Sequence, residues 1–215
     1  GLFADRNMWR PPGEGCNTMV RTVGSDGAKT MQAIRKAGVK RIYKHGFEAM
    51  KLRSLAEDVG IQAGSLYNYI RNKEEFLFLL LKEVLEELLE GLERELAGID
   101  DPKEALIRFI NFHLRWHTAR KEEVFIGNME LRSLSKQHLQ EIIRMRTEYE
   151  SRLRRILERG NEAGEWSVAD PQVISYSIIA SLTGVCNWYS PRGRLSQDEI
   201  IAIYTDHVLG AVGAR

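Results

Sequence analysis

Apolar residues recur at three- and four-residue spacing along most of this chain, and no stretch alternates long enough to make a half-buried strand. Over residues 29–46 the apolar stripe is Ile34, Ala37, Ile42 and Tyr43, closed by His45 and by Gly46 as a C-terminal cap. A second short helix is expected over 52–59, on Leu52, Leu55, Ala56 and Val59. Gly60, Ile61 and Gln62 make a turn, and a third helix follows from Ala63 to Ile70. Asn72 with Glu75 has capping-box spacing and opens a helix that ends near Gly98. That helix carries Leu77, Leu81, Val84, Leu88 and Leu92 on one face and glutamates elsewhere. Asp101 and Pro102 start the next helix, through about Ala119. Further helices are expected over about 122–134 and 136–160. Two more begin at the Asp170–Pro171 signal, to about Trp188, and at the Ser196/Glu199 capping box, to about Leu209. The pattern predicts an all-α protein of about nine helices. Residues 1–28 show no period and read as a flexible arm.

Charge divides the chain more sharply than hydropathy does. The formal net charge is +1, yet residues 29–73 hold ten basic side chains against three acidic ones. Residues 74–104 reverse this, with eleven acids against three bases. A basic module joined to an acidic one points to a polyanion-binding end, the alternative being a solvated basic helix face. No apolar run is long enough to span a membrane, and no secretory h-region is visible, so a cytoplasmic placement is expected. Cys16 and Cys186 lie far apart and form no CxxC pair, which fits idle thiols in a reducing compartment.

The segment from Leu52 to Lys73 carries the chemistry. Two short helices meet through Gly60, which permits the positive φ a crossing needs. Leu55, Ala56, Val59, Ile61 and Leu66 are spaced to close a small core. Gln62, Ala63, Ser65, Tyr67, Asn68 and Tyr69 then lie on the outer face of the second helix, short polar or aromatic groups suited to base edges and thymine methyls in a major groove. Gly64 allows close approach to a neighbour or to DNA. Lys73 sits in the first turn of the next helix, where ammonium and helix N-terminus can share one phosphate. Lys51 and Arg53 are further backbone-contact candidates.

These residues resemble the tetracycline-repressor (TetR) family. Gly46, Phe47, Glu48 and Ala49, then Leu55 and Ala56, then Val59, Gly60 and Ile61, then Gly64 through Tyr69, and finally Lys73, match its N-terminal pattern in order and spacing. The resemblance implies a three-helix helix-turn-helix domain over 29–75, with Gln62–Tyr69 on the recognition helix. It also implies a helical effector-binding and dimerisation domain over 76–215. One position departs: the family often has Ser or Thr where Lys51 stands, and lysine cannot cap the second helix. Glu130–Ser135, Arg146–Glu150 and Asn187–Ser196 look like the branch that includes regulators of fatty-acid and steroid catabolism. The implied partners are double-stranded operator DNA, a second copy of the chain, and a small hydrophobic effector, commonly an acyl-coenzyme A in that branch.

Candidate effector residues follow from the bulky middle helices. As a set, Phe112, Trp116, Phe125, Met129, Tyr149 and Trp188 could line a cavity, although core packing is the better reading for any one of them alone. Arg132 and Arg146 could meet an effector's phosphate or carboxylate, or make surface ion pairs. His113 and His117 have metal-pair spacing, but Leu114 follows His113 where a zinc-protease motif needs Glu, and no third ligand is near. Polar pocket residues are the alternative reading. Ile174, Ile178, Ile179, Leu182 and Val185, with Ile200, Ile203, Tyr204, Val208 and Leu209, form two broad apolar faces that suit a four-helix dimer contact or burial within the monomer. No GxSxG, GxGxxG, Walker A or HExxH motif occurs, so no catalytic group, cofactor or metal is expected. The sequence sets no sign for the regulation.

Overall fold

A computed structural model describes residues 25–214, and they form nine α-helices and one 3-10 turn, with no strand among them. They divide into two compact units, one ending at Leu77 and one beginning at Phe78. Most of the expected arm, with Cys16, lies outside the described residues.

In the first unit, α1 spans Ser25–His45, α2 Leu52–Val59 and α3 Ala63–Leu66, and α4, Lys73–Leu96, starts there and continues into the second. Helix α1 begins four residues before the expected position. Its first turn holds no large apolar residue, so periodicity could not reveal it. Helix α2 stops at Val59 because Gly60 adopts φ 74°, ψ 29° and its amide returns to the carbonyls of Ala56 and Glu57. A Cβ on Gly60 would meet no atom within 4 Å, so the requirement there is conformational and not steric. The third helix is shorter than expected. Beyond Leu66 the chain winds as turns, with the amides of Asn68 and Tyr69 bonding the carbonyls of Ser65 and Leu66 at 3.2 and 2.9 Å. Leu66 and Ile70 are both buried four residues apart, which reads as one helix, yet the tighter winding still delivers both to the core.

That core is apolar throughout: Ile34, Ile42, Phe47, Leu55, Leu66, Ile70 and Phe76 are all buried. Gly38 on α1 lies against the Phe76 ring, where a Cβ would fall 2.3 Å from the ring carbon. The Arg41 guanidinium forks onto Asp58, with one arm at 2.8 Å, and ties α1 to α2. At the start of α4, Asn72 Oδ1 accepts from the Glu75 amide at 2.8 Å. The Glu75 carboxylate returns to the amide of Arg71, one residue earlier than a capping box would have it.

The second unit adds α5, Pro102–Ala119; α6, Lys121–Met129; a 3-10 turn, Leu131–Ser133; α7, Lys136–Ala163; α8, Pro171–Trp188; and α9, Gln197–Val212. Asp101, Ser135, Asp170 and Ser196 cap α5, α7, α8 and α9 with side-chain oxygens, as short polar N-caps should. Helix α5 is central and packs on α7, α8 and α9. Leu106, Phe109, Ile110, Leu153, Leu157, Leu182 and Val185 join in one buried cluster. Three expected boundaries move, and one is the end of α9, which runs past Leu209 to Val212 and stops at the left-handed Gly213. The helix expected over 122–134 breaks at Glu130, whose φ −105°, ψ 11° leaves the helical region, so the 3-10 turn is separate. Helix α7 passes through Gly160 and ends at the left-handed Gly164. Gly160 serves packing instead: a Cβ there would lie 1.9 Å from the Trp166 ring, whose indole N–H donates to Leu157 O at 2.9 Å. No helix of the described residues is long and apolar enough to cross a membrane.

Candidate nucleic-acid interface and internal cavity

Around α3 the sequence and the exposure pattern agree in outline. Leu66 faces inward with no exposed surface, while Gln62, Gly64, Tyr67 and Asn68 are exposed and Ala63, Ser65 and Tyr69 are half-buried. Tyr67 leaves 56% of its surface outside the core, so packing within the chain does not account for a tyrosine there. Gln62 occupies the N-cap of α3 but makes no side-chain cap bond. Lys51 is the exposed N-cap of α2 and makes no cap bond either, as its chemistry requires. Arg53 is exposed and pairs with Glu57 at 3.6 Å, one turn on.

Lys73 is more committed than its sequence position implied. Its ammonium donates to Glu48 O at 3.1 Å, lies 3.4 Å from the Glu48 carboxylate, and sits 4.8 Å from the Phe47 ring centroid. It therefore staples the 46–50 turn to the start of α4, and any phosphate must share it. For Gly64 the packing alternative fails, because a Cβ would meet nothing within 4 Å.

The second unit holds a cavity of about 420 Å³. Leu81, Val84, Leu85 and Leu88 of α4 form an apolar wall with Ile142 of α7 and Ile179 of α8. Helix α6 adds Glu123, Val124, Gly127 and Asn128. Among the sequence candidates, His113, Trp116, His117, Arg146 and Tyr149 line it. The other five do not. Phe125, Met129 and Trp188 are exposed at 41, 56 and 56%, Arg132 is exposed in the 3-10 turn, and Phe112 lays its ring against Gly91 of α4. A helical stripe gives a face but not which neighbour covers it, so periodicity could not separate those five from the five that line the cavity.

The polar side of the cavity is a hydrogen-bonded set. His113 is wholly buried, with Nδ1 3.0 Å from the Tyr149 hydroxyl and Nε2 3.0 Å from Thr183 Oγ1. The His117 ring stacks on it at 3.7 Å, and His117 Nδ1 donates to His113 O at 2.8 Å. Burial pushes both imidazoles down, His117 to about 4, and raises the Tyr149 phenol well above its ordinary value. Burial also lowers Arg146, whose guanidinium donates to Gly127 O and reaches Asn128 Oδ1 at 3.4 Å. Both ring nitrogens of His113 are engaged, so the histidine pair does not present two ligand atoms to a metal. Among the described residues, no group of three or more His, Cys, Asp or Glu is placed to hold one.

Glu150, absent from the sequence candidates, is buried in the cavity wall and accepts from the Ser175 hydroxyl at 2.7 Å. With Glu123 it puts two carboxylates in the cavity wall. Composition hid Glu150 among solvated glutamates. Its position did not, since it stands one turn from Arg146 and from Leu153 on the buried stripe of α7.

On α8 and α9 the expected apolar faces split in two. Ile178, Leu182, Val185, Ile200 and Val208 are buried within their own chain. Ile203, Val173 and Tyr176 are exposed at 52, 57 and 52%, and Ala180, Ser181, Ala202 and Ala211 are exposed beside them.

A helix-turn-helix unit with an exposed α3 and a helical unit around a mixed apolar and polar cavity define a one-component DNA-binding regulator. Two family descriptions match. "Bacterial regulatory proteins, tetR family" covers residues 34–80, and "Tetracyclin repressor-like, C-terminal domain" covers residues 99–212. The chain belongs to the tetracycline-repressor family. It is similar to the fatty acid metabolism regulator protein of Bacillus subtilis (strain 168), at 28% identity over 64% of this chain and 70% of that protein. It is also similar to the HTH-type transcriptional repressor KstR2 of Mycolicibacterium smegmatis, at 26% identity over 78% of this chain and 82% of that one. Among solved structures, AibR in complex with isovaleryl coenzyme A and operator DNA superposes with a TM-score of 0.77 at 21% identity. The match covers 86% of this chain and all of that one and speaks to the fold.

Proposed function

We propose that the chain is a dimeric transcriptional repressor that binds operator DNA through Gln62–Tyr69 and releases it when an acyl-coenzyme A fills the cavity of the second unit. The observation that carries this reading is the cavity wall. Four of its apolar residues, Leu81, Val84, Leu85 and Leu88, belong to the same helix that begins at Lys73 in the helix-turn-helix unit. An occupant that favours one placement of α4 biases the DNA-binding unit, and by linkage must weaken DNA binding if it prefers the state DNA does not.

The acyl portion enters the apolar space, and the coenzyme's phosphates stay outside it. The relative named for fatty-acid metabolism and the neighbour bound to isovaleryl coenzyme A support that ligand class. Lys51, Arg53 and Lys73 would contact phosphates, and Gln62, Tyr67 and Asn68 base edges. The exposed faces of α8 and α9, apolar at Ile203 and Val173, would meet the same faces of a second copy in an isologous contact. Release of a duplex selected from genomic fragments, measured against acyl-coenzyme A thioesters, free acids and cationic dyes, tests the reading. Glu123 and Glu150 make the dyes a serious arm. Release by dyes with no response to any thioester would rule out the acyl-coenzyme A and leave the regulator standing.

A further inference from the structure

The polar side of the cavity constrains its occupant further, on the reading that this cavity is the effector site. His117 is 7% exposed and lines the cavity. Its Nδ1 lies 2.8 Å from a carbonyl oxygen, which can only accept, so Nδ1 carries the ring proton. Nε2 is then an acceptor. Among the described residues no group donates to it, and it is not sealed in protein, so it opens to the cavity. Burial, with Arg146 close by, keeps this ring neutral at ordinary pH.

The neighbouring ring supplies the complementary group. Neutral His113 holds one proton between two partners, Tyr149 Oη and Thr183 Oγ1, each at 3.0 Å. If it donates to Thr183, the threonine proton is left over; if it donates to Tyr149, the phenolic proton is left over. Both residues line the cavity. The two imidazoles are parallel within 8° and 3.7 Å apart. The cavity therefore presents an unpaired acceptor on His117 and a hydroxyl donor bonded to the imidazole stacked on it, set into apolar walls.

We propose that the buried apolar part of the effector carries a hydroxyl group, which donates to His117 Nε2 and accepts from Thr183 or Tyr149; for a thioester, this is a hydroxyacyl group. A keto oxygen would satisfy the donor and leave Nε2 desolvated and unpaired. A saturated chain would leave both unpaired, and a carboxylate would turn acceptors toward the Nε2 lone pair. Leaving a buried polar group unmatched is what makes such a site reject the analogue lacking the hydroxyl.

Calorimetric titration of the full chain tests this, with decanoyl-coenzyme A, the complete set of its hydroxydecanoyl positional isomers and the β-oxo analogue, alongside the matching free acids. At least one hydroxy isomer should bind about tenfold or more tightly than the parent. In His117→Phe, which keeps a ring and removes the acceptor, that preference should vanish while the parent binds at least as well. Wild-type protein that binds every isomer no better than the parent overturns the hydroxyl proposal and leaves the acyl-coenzyme A reading intact. Discrimination among the free acids with no thioester binding does the reverse. Binding of neither series overturns both.

Discussion

The two units of this chain spend polarity in opposite ways. In the first, every described core residue is apolar, and the polar groups that matter, such as Gln62 and Asn68, stand outside. In the second, His113, His117, Glu150 and Ser175 are all buried, close to or lining one cavity. Burying such groups costs free energy unless each finds a partner. A compact domain that only had to fold would fill that space with leucine, as the first unit does on its smaller scale. The difference teaches where recognition happens. On the proposed function, a first unit that reads a partner from outside can keep a plain core, and a second unit that reads a ligand from inside would carry its hydrogen-bonding groups there.

The largest effects should come from forcing charge into each kind of surface on α8 and α9. Ile178→Glu places an unpaired carboxylate at a residue that is 5% exposed, and it should cost more than about 4 kcal/mol and leave little folded protein. Ile203→Glu, at a residue that is 52% exposed, should leave circular dichroism and melting intact while sedimentation shows a monomer that binds duplex poorly. If both variants unfold, the outward face of α9 is core, and the assignment of a partner to it is wrong.

Acid should loosen the second unit before the first. Unfolded histidine takes up a proton near pH 6.5, whereas buried His117 resists it down to about 4. Between those values the unfolded chain binds more protons, so stability is complete above about pH 6.5 and falls as pH drops toward 4. His117 alone accounts for roughly 3 kcal/mol, and His113 acts in the same direction. Hydrogen exchange between pH 7 and 4.5 should show the α5 and α7 amides losing protection first. Equal loss in α1 and α2 would erase the contrast between the units.

Changes on the outer face should separate by kind. Gln62→Ala or Asn68→Ala should shift preference among duplexes by about 1–3 kcal/mol per lost base contact. Lys51→Ala should weaken binding to all duplexes alike and lower the salt slope by about one unit, with no change in melting. Lys73→Ala should lower both the slope and the melting temperature, because its ammonium also holds Glu48. The glycines should give the smallest effects. Gly60→Ala forces a Cβ into φ 74° and should cost about 1–2 kcal/mol. Gly64→Ala meets open space inside a helix and should stabilise the fold by up to about 1 kcal/mol while weakening DNA binding. A Gly64→Ala variant that binds duplex normally would remove the reason given for that glycine.

The legibility of the two units follows from the same contrast. The turn at Gly60, the caps at Asp101, Asp170 and Ser196, and the run from Gln62 to Tyr69 are local in sequence, so spacing alone exposes them. The early start of α1 and the early stop of α3 carry no periodic signal and were not legible. In the cavity, His113, Trp116, His117, Arg146 and Tyr149 could be read as candidates because they sit on inward stripes of α5 and α7. Phe125, Met129 and Trp188 are equally bulky, but their placement depends on which helix lies opposite, which no local pattern records. Thr183 and Ser175 escape for the same reason. A small hydroxyl on an apolar helix looks like filler until the imidazole or carboxylate it serves, on another helix, is in place.

The central claim is that occupancy of the cavity and occupancy of the DNA face oppose each other, and linkage makes that claim reciprocal. Effector affinity should be measured by calorimetry on the free protein and again with the protein saturated by a selected duplex, using whichever thioester binds. The account predicts weaker effector binding on DNA, by the same factor as that by which saturating effector weakens the duplex. Equal effector affinity in the two states would contradict it.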